Sequence, residues 1–263
     1  MEQSARRPPL SGATMFVRYA YPPNELGYCG SSDHRALLEY GAAGVVDPGL
    51  TRLVQAFQGA WPYLQLIAEA TGIGDPLDAR VVEAYWVGSK VLDTIDMNLL
   101  GNALQTRFHL MGGPNTTQLQ DWVSARGVPH HSFHVFGVYP WVGLLAADRH
   151  GDSPLHVLDR CRIRWGTIVA LEPSTALVDS QPLTWDGHQL ALGDSRTEVV
   201  KRAADGYAFV GDLQVGDPVS MHWDWLCDRL SPRQVAALRH YTSRHLDIVN
   251  HRVERAGALA SLV

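Results

Sequence analysis

The sequence contains few cysteines, three among 263 residues, at positions 29, 161 and 227. So small and dispersed a set excludes the disulfide framework that stabilises many small secreted domains. In a reducing compartment the three side chains remain thiols, which are available for metal binding or for chemistry. We therefore expect a cytoplasmic protein.

Long hydrophobic runs and secretory signals are absent as well. No stretch reaches the roughly eighteen uninterrupted apolar residues that indicate a membrane-spanning helix. The first 14 residues contain two arginines and two prolines but no apolar segment of the kind found in signal peptides. These absences predict a protein without a membrane partner.

Positive charge is scarce and scattered. Lysine and arginine number 22 against 27 acidic residues, and the net charge is -5. A nucleic-acid-binding protein is expected to carry a basic patch, so we predict no nucleic-acid partner. The glycine-rich phosphate loop, the serine nucleophile elbow and the HExxH zinc helix are also missing.

Hydrophobic residues make up 46% of the chain, enough for a substantial core. The pattern changes near residue 150 and predicts an α+β protein with two domains. Residues 1–150 are predicted to be mainly α-helical, because apolar residues recur at helical spacing between capping signals. The predicted helices pass through 36–40, begin at Pro48, run from Trp61 to Gly72 and run from Arg80 to about Leu100; the apolar run 132–145 is predicted to be extended.

Residues 151–263 are predicted to form a small OB-like β-barrel followed by a helix. Short alternating runs separated by turn residues are typical of such barrels. The capping pair Ser231-Pro232 then opens a C-terminal helix. The predicted strands are 166–171, 175–179, 188–192, 196–200 and 218–222.

Two fragments of this second domain carry metal-binding residue types. Cys161 is placed at the edge of the first predicted strand, five residues before Gly166. His222 ends the strand that follows the turn Gly216-Asp217. A thiolate together with an imidazole suits iron or zinc rather than magnesium or calcium.

The order of these motifs resembles the HypC/HupF family of [NiFe] hydrogenase maturation chaperones. The resemblance rests on Cys161-x4-Gly166-x-Ile168, on Val215-Gly216-Asp217-x-Val219-x-x-His222, and on the helix that follows Arg229-Leu230-Ser231. Cys161 is internal here, whereas the family's cysteine lies at the start of its chain.

The resemblance implies a metal-centre assembly chaperone rather than an enzyme. Its cargo would be iron, carried as an iron–cyanide/carbonyl fragment, with Cys161 and His222 as the metal ligands. Its partners would be the hydrogenase large subunit or other maturation proteins.

Two further clusters keep other functions open. Cys29 lies shortly before a predicted helix start, where the helix dipole would lower its pKa, and His34 is a candidate base for it. His130 and His134 have a spacing that permits a shared metal in either an extended or a helical segment. The alternative function is therefore a small-molecule enzyme that uses Cys29 or a His130/His134 metal site, zinc for example, with the barrel as a structural domain. A third possibility is an interaction module in which Cys161 and His222 are core residues.

Overall fold

The structure is a computed structural model that describes residues 10–96, 99, 122, 124–138, 141–146 and 153–260. It has a helical N-terminal region, a sheet-rich C-terminal part and a long C-terminal helix, which confirms the α+β class. The helices are α1 (Gly12–Glu25), α2 (His34–Ala43), α3 (Pro48–Gln55), α4 (Trp61–Ala70), α5 (Ala79–Trp86), a 3-10 helix (Lys90–Thr94), α6 (His131–Phe133) continuing into a π-helix (His134–Val138), α7 (Trp141–Ala146), α8 (Ser153–Cys161) and α9 (Pro232–Ala260).

Aspartate caps explain where several of these helices start. The carboxylates of Asp33, Asp47 and Asp78 each accept a hydrogen bond from a backbone N–H in the first turn of α2, α3 and α5. Such a cap satisfies one of the amides that a helix start leaves without a partner. The helices predicted from Pro48 and from Trp61 are confirmed.

Helix α1 was not predicted, because it is buried on nearly every side and shows no amphipathic stripe. It packs against α2 and α5 on one side and against the sheet on the other. The Tyr19 hydroxyl forms a 2.8 Å hydrogen bond with Oγ of Ser220 in the sheet. Helix α1 is therefore the element that joins the helical region to the sheet.

The long helix predicted from Arg80 to about Leu100 is wrong in extent. Helix α5 ends at Trp86, and Gly88 follows with φ +93°. A Cβ at Gly88 would lie 2.2 Å from the Tyr241 ring, so the close approach of α9 requires glycine there. A 3-10 helix replaces the next turns, and 97, 98 and 100 lie outside the described residues.

The extended segment predicted at 132–145 is also wrong. Its described residues lie in α6, in the π-helix and in α7. A short, continuously apolar run fits a buried helix as well as a buried strand, so periodicity does not separate the two.

The strands are β1 (Arg164–Leu171), β2 (Thr175–Ser180), β3 (Leu183–Trp185), β4 (Leu190–Leu192), β5 (Arg196–Lys201), β6 (Ala203–Ala204), β7 (Tyr207–Ala208), β8 (Pro218–His222) and β9 (Trp225–Arg229). Five of them form a sheet that closes on itself in the order β1-β2-β5-β9-β8. Antiparallel pairs make most of this sheet, and the single parallel pair of Lys201 with Trp225 links β5 to β9.

One of the five predicted strands does not belong to the closed sheet. The run 188–192 contributes β4, which pairs with β3 in a separate two-stranded sheet. Its place is taken by β9, which pairs with β8 across a two-residue turn at Trp223-Asp224. The other four predicted strands correspond to β1, β2, β5 and β8.

The buried apolar side chains of the helical region and of the sheet form one contiguous core. It includes Phe16 of α1, Trp86 of α5, Trp225 of β9 and Leu238 of α9. The predicted division into domains 1–150 and 151–263 falls outside the described residues, and it stays a prediction. Among the described helices, none combines the length and the apolar character needed to cross a membrane.

Candidate metal centre

His222 ends strand β8 and is fully buried. Its Nδ1–H donates a 2.6 Å hydrogen bond to the backbone carbonyl of Tyr19, which defines the tautomer of the neutral ring. Nε2 therefore carries the lone pair, and this buried atom has no hydrogen-bond partner. Burial lowers the pKa of His222 well below its ordinary value, and the nearby His131 lowers it further. The ring is thus neutral at pH 7, with a lone pair available for a metal.

Cys161 is the last residue of α8, and a backbone hydrogen bond joins this end of the helix to the sheet. The Trp223 amide donates to the Arg160 carbonyl at 2.7 Å, so the turn after His222 contacts the residue before Cys161. Burial raises the pKa of the Cys161 thiol, and the neighbouring Cys29 raises it further. Without a metal the side chain is a thiol, and a bound cation would convert it to the thiolate that coordinates.

His131 opens α6 from the helical region and is 5% exposed. Its Nε2 lies 2.8 Å from the backbone carbonyl of Cys161, so Nε2 carries the proton and donates. Its Nδ1 accepts from the Tyr85 hydroxyl at 3.2 Å. Burial lowers the pKa of His131 to about 4, against an opposing effect of the Cys161 carbonyl. This imidazole is also neutral at pH 7.

The ligand atoms of His131, Cys161 and His222 all lie within 4.8 Å of one another. A tetrahedral ion bound by nitrogen and sulfur separates its ligand atoms by about 3.5 Å, so a contraction of roughly an ångström would complete the site. One soft thiolate with two imidazoles suits zinc, iron or copper. The three residues could hold such an ion and leave a fourth position open.

A cavity of about 160 Å³ adjoins these three residues. Its wall is mostly apolar, and its exposed side is formed by Tyr28, which is 56% exposed and stacks on Trp223 at 4.5 Å. Trp223 adopts φ +51°, an unusual conformation for a bulky residue, and its carbonyl accepts from the buried Arg164. The other lining residues are Pro23, Cys29, Phe57, Gly59, Ala60, Tyr85, Trp86, His134, Trp141 and Val157.

Cys29 lines the same cavity. It is not one of the three residues His131, Cys161 and His222, which we call the grouped ligands. Asn24 donates to the carbonyls of Cys29 and Ser31 at 2.6 Å each and so shapes this loop. The expected lowering of the Cys29 pKa is wrong: burial raises it to about 12. Helix α2 does not start until His34, beyond Cys29 and the loop that follows it, and His34 is exposed. The helix dipole therefore does not act on this thiol at close range.

His130 and His134 have other neighbours. Nδ1 of His130 accepts from the Ser132 amide at 3.2 Å and lies 2.7 Å from the Ser132 hydroxyl. His134 lines the cavity and hydrogen-bonds the Tyr63 hydroxyl through Nδ1 at 3.3 Å. Neither residue belongs to the grouped ligands, so the structure brings the predicted pair Cys161 and His222 together and supplies His131, between the two other predicted histidines, as the third.

Sequence reasoning missed His131. The pair spacing that singled out His130 and His134 gives no weight to the histidine between them. The useful signal would have been the contact of α6 with the end of α8, which sequence spacing does not reveal.

Residues 8–256 match a family of unknown function, DUF6390, and the chain belongs to it. No curated protein matches the chain. No solved structure matches it either. The matched range includes the helical region, the closed sheet and all three grouped ligands.

Proposed function

We propose that this member of the DUF6390 family is a metal-centre assembly factor that holds an iron fragment through Cys161 and His222 for delivery to a [NiFe] hydrogenase. The observation that carries the proposal is the buried, unpartnered Nε2 of His222, in a ring with a ligand nitrogen within 4.8 Å of the Cys161 sulfur. A buried polar atom without a partner is costly, and a metal ion would satisfy it.

The sheet supports the resemblance on which the iron assignment rests. We infer that the closed five-stranded sheet is the small OB-like barrel expected of HypC/HupF relatives, followed by α9 as their C-terminal helix. Cys161 precedes its first strand, and His222 ends the strand β8 that pairs with that first strand. The helical region would then add a wall of the metal cavity that the smaller family members lack.

The charge of the site favours a metal that carries anionic ligands. A divalent ion bound by one thiolate and neutral imidazoles leaves a net positive charge in an apolar cavity. Such a charge is costly unless it is neutralised. Cyanide ligands on iron would neutralise it, and the cavity of about 160 Å³ offers room for small ligands beside Cys161 and His222.

A hydrogenase large subunit or another maturation protein would be the partner that receives the fragment. Tyr28 is the exposed residue of the cavity wall and stacks on the buried Trp223, so a partner would gain access to the cavity at Tyr28. We expect this exchange to take place in the cytoplasm.

Enzyme chemistry at Cys29 is the second candidate function. The observation that favours it is that Cys29 lines the same cavity as the grouped ligands. In that case the metal site would serve a reaction on a small molecule. Loss of activity with retained iron in Cys29→Ala would support this alternative.

Metal analysis and infrared spectroscopy of protein purified without oxygen, after co-expression with hydrogenase maturation proteins, test the iron proposal. We expect about one iron per chain together with cyanide and carbonyl stretching bands, all lost in Cys161→Ala. Cys227→Ala is the matched control, because Cys227 is a buried thiol of β9 outside the cavity. Zinc without infrared bands would contradict the iron-fragment role, and a protein without metal would contradict the metal site.

A further inference from the structure

We propose that Tyr85 competes with the metal for Nδ1 of His131, so that His131 is a reversible third ligand. The site would then alternate between a two-ligand state, bound by Cys161 and His222, and a tighter three-ligand state. This inference concerns how the proposed metal site holds and releases its cargo, and it rests on that proposed function.

Hydrogen bonds already hold the two imidazoles of the site in place. Histidines that bind metals usually donate their second ring N–H to a carbonyl or carboxylate, which orients the ring. His222 does so through Nδ1 to Tyr19, and His131 does so through Nε2 to Cys161. Both rings therefore have the supporting bond of a metal ligand already formed.

The remaining nitrogens of the two rings differ in what they contact. Nε2 of His222 is buried without a partner, whereas Nδ1 of His131 accepts from the Tyr85 hydroxyl at 3.2 Å. The lone pair that His131 would offer to a metal is thus occupied by a phenol. Metal binding at this atom requires the Tyr85 hydroxyl to give up that bond.

The carbonyl that holds His131 belongs to Cys161, the residue that would supply the thiolate. If the metal bound Nδ1 of His131, the hydrogen bond from Nε2 to the Cys161 carbonyl could persist. The ring and the thiolate would then move together. Binding through Nε2 would break this bond, and the proposal therefore assigns the ligand role to Nδ1, the atom that Tyr85 contacts.

The competition predicts a limited effect on affinity. A neutral hydrogen bond lost on metal binding weakens the binding by about twofold to tenfold. A carrier benefits from a third ligand of this kind, because the third ligand strengthens the hold without making release slow. Tyr85 itself lines the cavity beside the three ligands.

The chain provides a matched control for Tyr85. A second tyrosine hydroxyl, that of Tyr63, also forms a hydrogen bond with a histidine Nδ1, that of His134, at 3.3 Å. The rings of Tyr63 and Tyr85 stack with centroids 5.4 Å apart. His134 is outside the grouped ligands, so removal of the Tyr63 hydroxyl changes a similar bond without freeing a ligand.

The experiment is a titration of purified, metal-free protein with Co²⁺ without oxygen, followed by the thiolate-to-cobalt absorption band. We expect Tyr85→Phe to bind Co²⁺ about twofold to tenfold more tightly than the wild type and Tyr63→Phe to match the wild type. His131→Ala should bind at least about tenfold more weakly, and Tyr85→Phe should have no further effect in that background.

Equal or weaker affinity in Tyr85→Phe than in Tyr63→Phe would overturn the inference. So would the same tightening by Tyr85→Phe in the His131→Ala background. X-ray absorption of the cobalt-loaded proteins supplies a second reading, because Tyr85→Phe should increase the fraction with two imidazoles bound. A wild-type protein without a band, or a band retained in Cys161→Ser, would instead contradict the metal site itself. Cobalt binding without any iron fragment would contradict only the proposed cargo.

Discussion

Two groups of buried histidines lie close together, and they differ in what their lone pairs contact. In the open cluster, His131, Cys161 and His222, one imidazole nitrogen has no partner. In the closed cluster, His130, Ser132 and His245, the Val128 amide donates to Nε2 of His245 at 3.2 Å. Nδ1 of His245 then donates to the Ser132 hydroxyl at 2.7 Å, and Nδ1 of His130 accepts from that hydroxyl.

The difference separates a binding site from a structural network. Nε2 of His130 has no hydrogen-bond partner, but in this arrangement it carries the proton and offers no lone pair. A metal binds lone pairs, and among these two clusters His222 presents the unoccupied one. The histidines of both clusters are buried, so the hydrogen bonds of their ring nitrogens are what distinguish the two clusters.

The largest expected effect is on metal binding and compares one histidine from each cluster. His222→Ala should lower the metal content from about one ion per chain to nearly none, because it removes the open lone pair. His245→Ala removes an equally buried imidazole and should retain the metal. Metal analysis of both proteins, with circular dichroism to check folding, makes the comparison. Equal loss in the two variants would remove the distinction between the clusters.

The next effect is the loss of stability of the metal-free protein in acid. Burial lowers the pKa of His130 and His134 to about 3 and that of His131 to about 4. It also lowers the pKa of His222 and His245 well below the ordinary value. In the unfolded chain the histidine pKa values are about 6.5, so below that pH the unfolded chain binds more protons than the folded protein.

Stability should accordingly be complete above about pH 6.5 and fall as the pH drops toward about 4, by up to about 1.4 kcal/mol per pH unit for each histidine. Urea unfolding at several pH values measures the slope. A bound metal should leave the share of His131 and His222 in place, because both rings are unprotonated in either folded form, and should steepen the slope further, because the Cys161 thiolate of the metal-bound protein takes up a proton on unfolding. A free energy of unfolding that is constant between pH 7 and pH 5 would contradict these buried neutral rings.

A smaller effect tests the closed cluster by itself. Ser132→Ala removes the hydroxyl between the two imidazoles and leaves the His245 N–H without an acceptor. We expect a loss of about 1–3 kcal/mol in the free energy of unfolding, with metal affinity unchanged. Urea unfolding measures the free energy of unfolding of this variant, and a Co²⁺ titration measures its metal affinity. Weakened metal binding at full stability would show that the clusters are coupled.

The smallest expected effect concerns Cys29. Cys29→Ala should change metal affinity by less than about twofold, because the thiol lies outside the grouped ligands and burial keeps it protonated. A cobalt titration measures it, with Cys161→Ala as the positive control. Loss of the thiolate-to-cobalt band in Cys29→Ala would make this thiol a ligand and favour the alternative site.

The sequence predicted the metal pair better than it predicted the elements around that pair. Cys161 and His222 were identified from motif order, and they do come together, because the end of α8 contacts the turn between β8 and β9. His131 comes from a distant helical segment, and its position depends on tertiary packing that spacing does not encode. Helix α1, whose Tyr19 carbonyl orients His222, was missed because a helix buried on all sides lacks the periodic pattern of an amphipathic one.

The turn at Trp223-Asp224 shows a similar limit. Trp223 and Trp225 stand at strand spacing, and in a regular strand both indoles would lie on one face. The left-handed backbone at Trp223 follows the end of β8 instead, so Trp223 lines the cavity while Trp225 packs edge-on against Tyr21 at 5.0 Å. A bulky residue is rare in this conformation, and local propensity argues against it. Rules based on propensity fail at this position, which is next to the proposed site.

X-ray absorption at the edge of the bound metal tests the central claim most directly. For protein that contains about one ion per chain, the account predicts one sulfur at about 2.3 Å together with imidazole nitrogens at about 2.0–2.1 Å. Little metal should remain in Cys161→Ser or in His222→Ala, because each change removes one of these ligands. A coordination shell of oxygen and nitrogen without sulfur in the wild type would contradict the assignment of Cys161 and His222 as the metal site.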